Sequence, residues 1–272
     1  MKKRIASSIV FMLILIIMIV VNNPFIDTTL VFILSIMSIY EYNSAFKRAG
    51  FHPISWVEYA GCLFLYAMGG FIQDEYKVIL VKTIIPALVI AIFIYVILSN
   101  LKITVVDIAI TVFALIYIPF MFSFIKLIML MPSSRILVWY VFLGAFACDT
   151  FAYIIGSKFG KTKLAPVISP KKTVEGAVGG IIGTILAYTV LTFFANRFFS
   201  LNFNFVFIII AGIIAGIAGQ LGDLAASAIK RYCKIKDFSD IIPGHGGILD
   251  RFDSTLFVAP VIYMLLKMYM FM

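Results

Sequence analysis

The sequence predicts an all-α polytopic membrane protein of about nine transmembrane helices, with its N-terminus in the cytoplasm and its C-terminus outside. Three observations lead there. Of 272 residues, 63% are hydrophobic and 13% charged, where soluble domains run at roughly 45–50% and ~25%. The apolar residues fall in runs long enough to cross a bilayer, which takes about 20 residues per helix. Lysine and arginine are also divided unevenly between alternate loops, as the positive-inside rule requires.

Lys2, Lys3 and Arg4, followed by apolar residues 5–21, have the outline of a signal peptide, but Asn22-Asn23-Pro24-Phe25 offers no small-residue cleavage site. This stretch is therefore read as the first span. Further spans follow near 27–40, 53–72, 78–98, 103–130, 135–156, 173–195, 203–229 and 254–272. The 28-residue fifth segment is either one tilted helix or a helix with a re-entrant piece. On this map 16 of the 22 Lys and Arg lie in the N-terminus and the loops on its side, while Lys77, Arg135 and Arg197 alone lie in the opposite set. Loops 157–172 and 230–253 are consequently cytoplasmic. The net charge of +9 then reflects loops facing anionic lipid, with no nucleic-acid partner implied. Cys62, Cys148 and Cys233 sit in or beside apolar runs without a CxxC pair, so they read as packing residues and not as disulfide or metal ligands.

Two regions differ in kind. Residues 1–130 are hydrophobic spans with few internal charges, whereas residues 131–272 carry the chemistry. Small residues also cluster in the second region, with Gly176 and Gly180, Gly179 and Gly183, and Gly212 and Gly216 four apart. That spacing lets helix backbones approach closely, either within one chain or across a homodimer.

Asp149 lies in the sixth span, about two turns from its cytoplasmic end, where a carboxylate is costly unless paired. A packing hydrogen bond would satisfy it as well as a functional role. Asp223 in the eighth span stacks with Ser227 at i+4 and Lys230 at i+7, putting acid, hydroxyl and base on one stripe. Before Glu175, Ser169 suits an N-cap and Pro170 the first helical position, which places Lys171 and Lys172 in the first turn of the seventh span. Cations oppose the macrodipole there, but with free N–H groups they make a phosphate-binding corner; a purely topogenic role is the plainer alternative.

Residues 227–254 are the densest segment, with ten of 28 being Asp, Lys, Arg or His. Pro243-Gly244-His245-Gly246-Gly247 must turn sharply, and its glycines can offer backbone N–H groups to an anion. Asp250 and Asp253 flank Arg251, placing hard oxygen ligands beside a bidentate phosphate donor. Oxygen ligands without cysteine or clustered histidine favour magnesium over zinc. His245 suits a loop hydrogen bond as well as proton transfer. These features describe a membrane enzyme that handles phosphates with a metal at the cytoplasmic face.

The stretch Ser227-x-Ile229-Lys230-Arg231-x4-Lys236-Asp237-x-Ser239-x2-Ile242-Pro243-x-His245-Gly246-Gly247-Ile248-x-Asp250-Arg251-Phe252-Asp253 resembles the signature of the CDP-diacylglycerol synthases, or phosphatidate cytidylyltransferases. Supporting stretches also look like that family: Cys148-Asp149-Thr150-x-Ala152-Tyr153, Gly156-x3-Gly160-Lys161, Ser169-Pro170-Lys171-Lys172-Thr173-x-Glu175-Gly176, and Gly222-Asp223-Leu224. All of them lie between 148 and 254, while residues 1–130 match only in hydropathy and span number. Phe151 and Val174 depart from the family's usual residue types, which bears on local packing.

The resemblance implies that phosphatidate attacks the α-phosphate of CTP to give CDP-diacylglycerol and pyrophosphate. It implies Asp223 and Asp250 as the central Mg2+ ligands, with Asp253 near a second cation such as K+. Lys171, Lys172, Lys230, Lys236 and Arg251 would bind phosphates, and Asp149 and Glu175 would order them or the metal. Ser227, His245, Gly246 and Gly247 complete the substrate-binding set. The expected setting is a bacterial inner membrane, with a cleft between the sixth, seventh and eighth helices where CTP from the cytosol meets a lipid from the leaflet. A CTP-dependent lipid-alcohol kinase and a polytopic transporter are the competing readings.

Overall fold

The computed structural model describes residues 23–71, 74–100, 102–199, 201–242 and 246–270; the expected first span and His245 lie outside them. Helix α1 (Pro24–Arg48) begins at Asn23, whose side chain accepts from the N–H groups of Phe25 and Ile26 at 2.9 and 3.4 Å. Pro24 takes the first helical position, where no N–H is needed. Helices α2 (Ser55–Phe71) and α3 (Asp74–Leu98) follow. Helix α4 (Val105–Leu115) opens on a reciprocal cap: Thr104 Oγ1 accepts from Asp107 N–H at 3.2 Å, and the Asp107 carboxylate accepts from Thr104 N–H at 2.8 Å.

The chain then passes through a π-helical turn, Ile116–Phe120, into α5 (Met121–Met129). Pro119 lies in that turn and has no N–H to donate, so the wider winding absorbs the missing bond. The Tyr66 hydroxyl donates to the Pro119 carbonyl at 3.3 Å. Val105–Met129 is thus one continuous helical stretch, long and apolar enough to cross a membrane.

Helix α6 (Ser134–Phe159) leads to an antiparallel hairpin of β1 (Lys163–Ala165) and β2 (Ser169–Thr173), then α7 (Val174–Phe199), α8 (Phe205–Tyr232) and α9 (Leu249–Met270). Among the described residues, six helical stretches are long and apolar enough to cross a membrane: α1, Val105–Met129 and α6 to α9. The chain is an integral membrane protein, predominantly helical over the described residues. Helices α6 to α9 pack on one another, and α5 joins α1 to this group.

Two sequence expectations change here. Ser169 and Pro170 do not start a helix; they open strand β2, and Lys171 and Lys172 lie on that strand. The helix begins later because Thr173 supplies the cap, its Oγ1 accepting from Gly176 N–H at 3.1 Å. The last helix also starts earlier than the hydropathy indicates, at Leu249. Its first turn therefore carries Asp250, an acid that a helix N-terminus favours, and Asp253 follows just beyond that turn.

The glycines settle where their helices meet. A Cβ at Gly180 would stand 2.9 Å from the Cys148 carbonyl, one at Gly216 3.1 Å from Ile181 Cα, and one at Gly222 2.5 Å from the Asp253 carbonyl. These close approaches join α6 to α7, α7 to α8 and α8 to α9, all within one chain. The opposite side of α7 exposes Ile182, Leu186 and Val190, one row of apolar side chains turned away from the bundle. The three cysteines are buried and free, as packing residues should be.

Candidate active site

A cleft of about 550 Å³ opens among α6, the hairpin, α7, α8 and the start of α9, within the range typical of small-molecule sites. Asp149, Lys171, Lys172, Asp223, Lys230, Asp250, Arg251 and Asp253 all line it. These residues come from four separate elements, α6, β2, α8 and α9. The hairpin brings the lysines of β2 over α8, where Lys172 Nζ meets Asp223 Oδ2 at 2.6 Å. The Ser227 hydroxyl donates to the other oxygen of Asp223 at 3.3 Å, as the i+4 spacing anticipates.

Lys230 departs from the expected stripe. It turns from Asp223 to Asp250 of α9, with Nζ 2.6 Å from Oδ1. The second oxygen of Asp250 accepts from the N–H groups of Phe238 at 2.8 Å and Gly247 at 3.0 Å. Asp250 thereby ties Phe238 to Gly247 within the loop that precedes α9 while its own charge is balanced. With the side chains of Lys230 and Asp250 only 10% and 4% exposed, this pair is largely withdrawn from solvent and is held by hydrogen bonds as well as by charge.

The remaining acids sit deeper. Asp253 is buried, and one of its oxygens accepts from Ser254 N–H at 2.7 Å. The Ser254 hydroxyl donates to Asp149 at 3.3 Å, linking α9 to α6. Gln220 donates to the Ala177 carbonyl at 2.8 Å and tethers α8 to α7 along the cleft wall. Arg231 Nε donates to the Ile168 carbonyl at 3.2 Å, holding the hairpin against the end of α8.

Five expected site residues do not line the cleft. The Glu175 carboxylate accepts from Lys161 and Thr162 N–H at 3.0 and 3.1 Å, fastening the approach to the hairpin. Lys236 is exposed on the loop. Ser227 acts through Asp223. Gly247 lends its N–H to Asp250, and Gly246, at φ +82°, takes a left-handed turn that a side chain would strain. Conversely, Gln220 and Asp237 line the cleft although residue type alone did not single them out; both lie inside or beside the signature stretches.

The largest omission is Glu41, in the half that looked bland. It is fully buried on α1. Its carboxylate accepts the Ser239 hydroxyl at 2.6 Å and the N–H groups of Ile248 and Leu249 at 2.8 Å each. The signal was an acid inside an apolar run, Ile39-Tyr40-Glu41-Tyr42, the same anomaly that drew attention to Asp149.

Among the described residues no three acid, histidine or cysteine side chains converge as a ready-made metal cage. The charged donors at hand are the carboxylates of Asp149, Asp223, Asp237, Asp250 and Asp253, joined by neutral oxygens such as that of Gln220. That fits magnesium, which is usually held by one or two carboxylates together with substrate phosphates and water.

Residues 2–269 match the model of the cytidylyltransferase family. The chain is 48% identical over 129 residues to the phosphatidate cytidylyltransferase of Staphylococcus haemolyticus (strain JCSC1435), covering 47% of this chain and 48% of that one. It is 42% identical over 132 residues to the phosphatidate cytidylyltransferase of Bacillus subtilis (strain 168), covering 48% of each. A third, from Staphylococcus epidermidis (strain ATCC 12228 / FDA PCI 1200), is 46% identical over 129 residues, covering 47% of this chain and 48% of that one. The chain thus matches about half the length of these curated relatives. The family match, by contrast, runs through nearly all the described helices and every residue of the cleft, and on that basis the chain belongs to the cytidylyltransferase family.

Proposed function

We propose that the protein is an integral-membrane phosphatidate cytidylyltransferase, in which the phosphate of phosphatidate attacks the α-phosphate of CTP to form CDP-diacylglycerol and release pyrophosphate. The observation that carries this reading is a cleft among membrane helices where Lys171, Lys172, Lys230 and Arg251 face Asp149, Asp223, Asp250 and Asp253. Cations suit a triphosphate, and the setting suits a lipid partner. The names of the bacterial relatives support the same substrates.

An ionised lipid phosphate is already a nucleophile, so the site needs alignment and charge neutralisation more than a base. His245 accordingly has no assigned proton to take. Lys172 and Lys230 are each held by a carboxylate before substrate arrives. Substrate phosphates compete for these ammonium groups, which frees Asp223 and one oxygen of Asp250. Arg251 adds a forked donor for phosphate oxygens, and Lys171 on the hairpin adds another charge at the cleft edge. Magnesium would be held by Asp223, Asp250 and Asp253, with a second cation such as potassium near Asp253, and when bound it offsets charge on the reacting and departing phosphates.

The finer topology belongs to the same proposal: about nine spans, the N-terminus and the cleft on the cytoplasmic side of a bacterial inner membrane, and the C-terminus outside. It is supported by the lysine and arginine bias and by the solubility of CTP in the cytosol. A homodimer would need a surface other than the glycine stripes, which pack within the chain.

The test is purified protein in detergent with phosphatidate, magnesium and CTP labelled on the α-phosphate, beside Asp250→Asn. Label should enter the lipid fraction with the unaltered protein and not with the variant. Transfer of label from γ-labelled CTP alone would identify a lipid kinase instead.

A further inference from the structure

A second cavity, of about 450 Å³, opens at the same end of the bundle without sharing a lining residue with the cleft. It lies between the α1–α2 turn and the α3–α4 turn and presents Lys47, His52, Ser55, Trp56, Tyr95 and Lys102. Its position follows from Phe51, another wall residue, which stacks on Tyr232 at 5.9 Å. Tyr232 ends α8, the helix that carries Asp223 and Lys230.

The charge of this cavity is only partly offset, by Glu58 acting on Lys47 and Asp107 on His52 through space. Lys47 Nζ donates to Ser55 Oγ at 3.4 Å, and neither Lys47 nor Lys102 enters a salt bridge among the described residues. Two acids stand behind the wall, and each is engaged. Asp107 accepts from His52 N–H at 2.6 Å and from the N–H and hydroxyl of Thr104 at 2.8 Å each. Glu58 is buried and held by the Asn43 side chain. The mouth therefore offers two ammonium groups and an imidazole to an anion.

The rest of the wall suits a lipid. Trp56 and Tyr95 meet edge to face at 6.1 Å, and they are 51% and 40% exposed. Such amphipathic rings settle at the headgroup level of a bilayer. The helix that supplies Tyr95 also exposes Ile90, Ile94 and Ile97, an i, i+4, i+7 row of apolar surface against which acyl chains can lie. A soluble phosphate would have no use for it, whereas basic pockets between membrane helices are a recurrent form of anionic-headgroup site. We propose that this cavity binds the phosphate headgroup of an anionic phospholipid drawn from the leaflet, at a site separate from the cleft.

The protein contains two tryptophans, Trp56 and Trp139, so Trp139→Phe leaves Trp56 as a reporter inside the cavity. Emission is followed while the detergent-solubilised protein is titrated with dihexanoyl phosphatidylglycerol, dihexanoyl phosphatidylcholine or inorganic phosphate. The anionic lipid should give a saturable change, weakened at least tenfold by Lys47→Gln with Lys102→Gln and retained with arginine at both positions. Asp223→Asn should leave the response intact, because that residue belongs to the cleft. An equal response to phosphatidylcholine, or loss of the response in Asp223→Asn, would overturn the proposal. A full response to inorganic phosphate alone would overturn the lipid as its source.

Discussion

The carboxylate of Glu41 accepts the backbone N–H of Leu249 at 2.8 Å across 208 residues of sequence. Leu249 is the first residue of α9, so a buried acid on the first described helix caps the helix that carries Asp250 and Asp253. Glu41→Ala strands two N–H donors and a hydroxyl, at a cost of about 1–3 kcal/mol for each buried group left unsatisfied. The expected outcome is a lower melting temperature, faster amide exchange at Ile248 and Leu249, and at least a tenfold fall in turnover. Glu41→Gln keeps a carbonyl oxygen for two of the donors but turns its amide NH2 on the third, and it should fall between the unaltered protein and Glu41→Ala. Turnover at the unaltered level in Glu41→Ala would show that the cap is dispensable.

Lys172 and Asp223 meet at 2.6 Å with side chains about a quarter exposed, 23% and 26%. Solvent screens such a pair, so its contribution to stability is small. Lys172→Ala should therefore leave the melting temperature within a few degrees of normal while lowering kcat/KM at least tenfold, chiefly through KM for CTP. A large stability loss with unchanged kinetics would make the pair structural.

Two glycines on α8, three residues apart, separate packing from composition. A Cβ at Gly222 would stand 2.5 Å from the Asp253 carbonyl and 3.1 Å from Ser254 Cα, whereas one at Gly219 would reach only an ordinary 3.4 Å contact with Val258. Gly222→Ala should destabilise the protein by about 1–3 kcal/mol, the usual range for overpacking, and displace Asp253 from the cleft. Gly219→Ala should be close to neutral. Thermal unfolding in detergent, with turnover measured alongside, checks both.

The orientation can be read with single introduced cysteines. All three native cysteines are buried, and burial pushes the Cys233 thiol above its ordinary value, so background alkylation should be slow. Cysteines placed at Lys163 and Lys236 should react only with reagent on the cytoplasmic side, and one placed at Arg197 only from outside. The reverse pattern would invert the topology.

The acids and bases of the cleft were legible because each is anomalous for its surroundings: Asp149 and Asp223 in apolar helices, Asp250 and Asp253 in a dense polar segment. What each one touches was not legible. Lys230 is spaced to meet Asp223 on its own helix, yet it reaches α9, and the hairpin supplies Lys172 in its place. Ser169 and Pro170 carry the marks of a helix start, but Thr173 caps better because pairing of β1 with β2 already claims the preceding residues.

The amino-acid sequence by itself located the six described stretches that are long and apolar enough to cross a membrane, since hydropathy over some twenty residues is a local property that lipid reads directly. It also determined the inventory of charged groups, since an ionisable residue in an apolar run is costly wherever the chain goes. The tertiary structure alone decided which lysine neutralises which carboxylate. It also brought Glu41 to the loop before α9 and closed a cleft from five elements. Those outcomes depend on backbones approaching across glycine contacts and on hydrogen bonds spanning as many as 208 residues, and no local pattern encodes such distances.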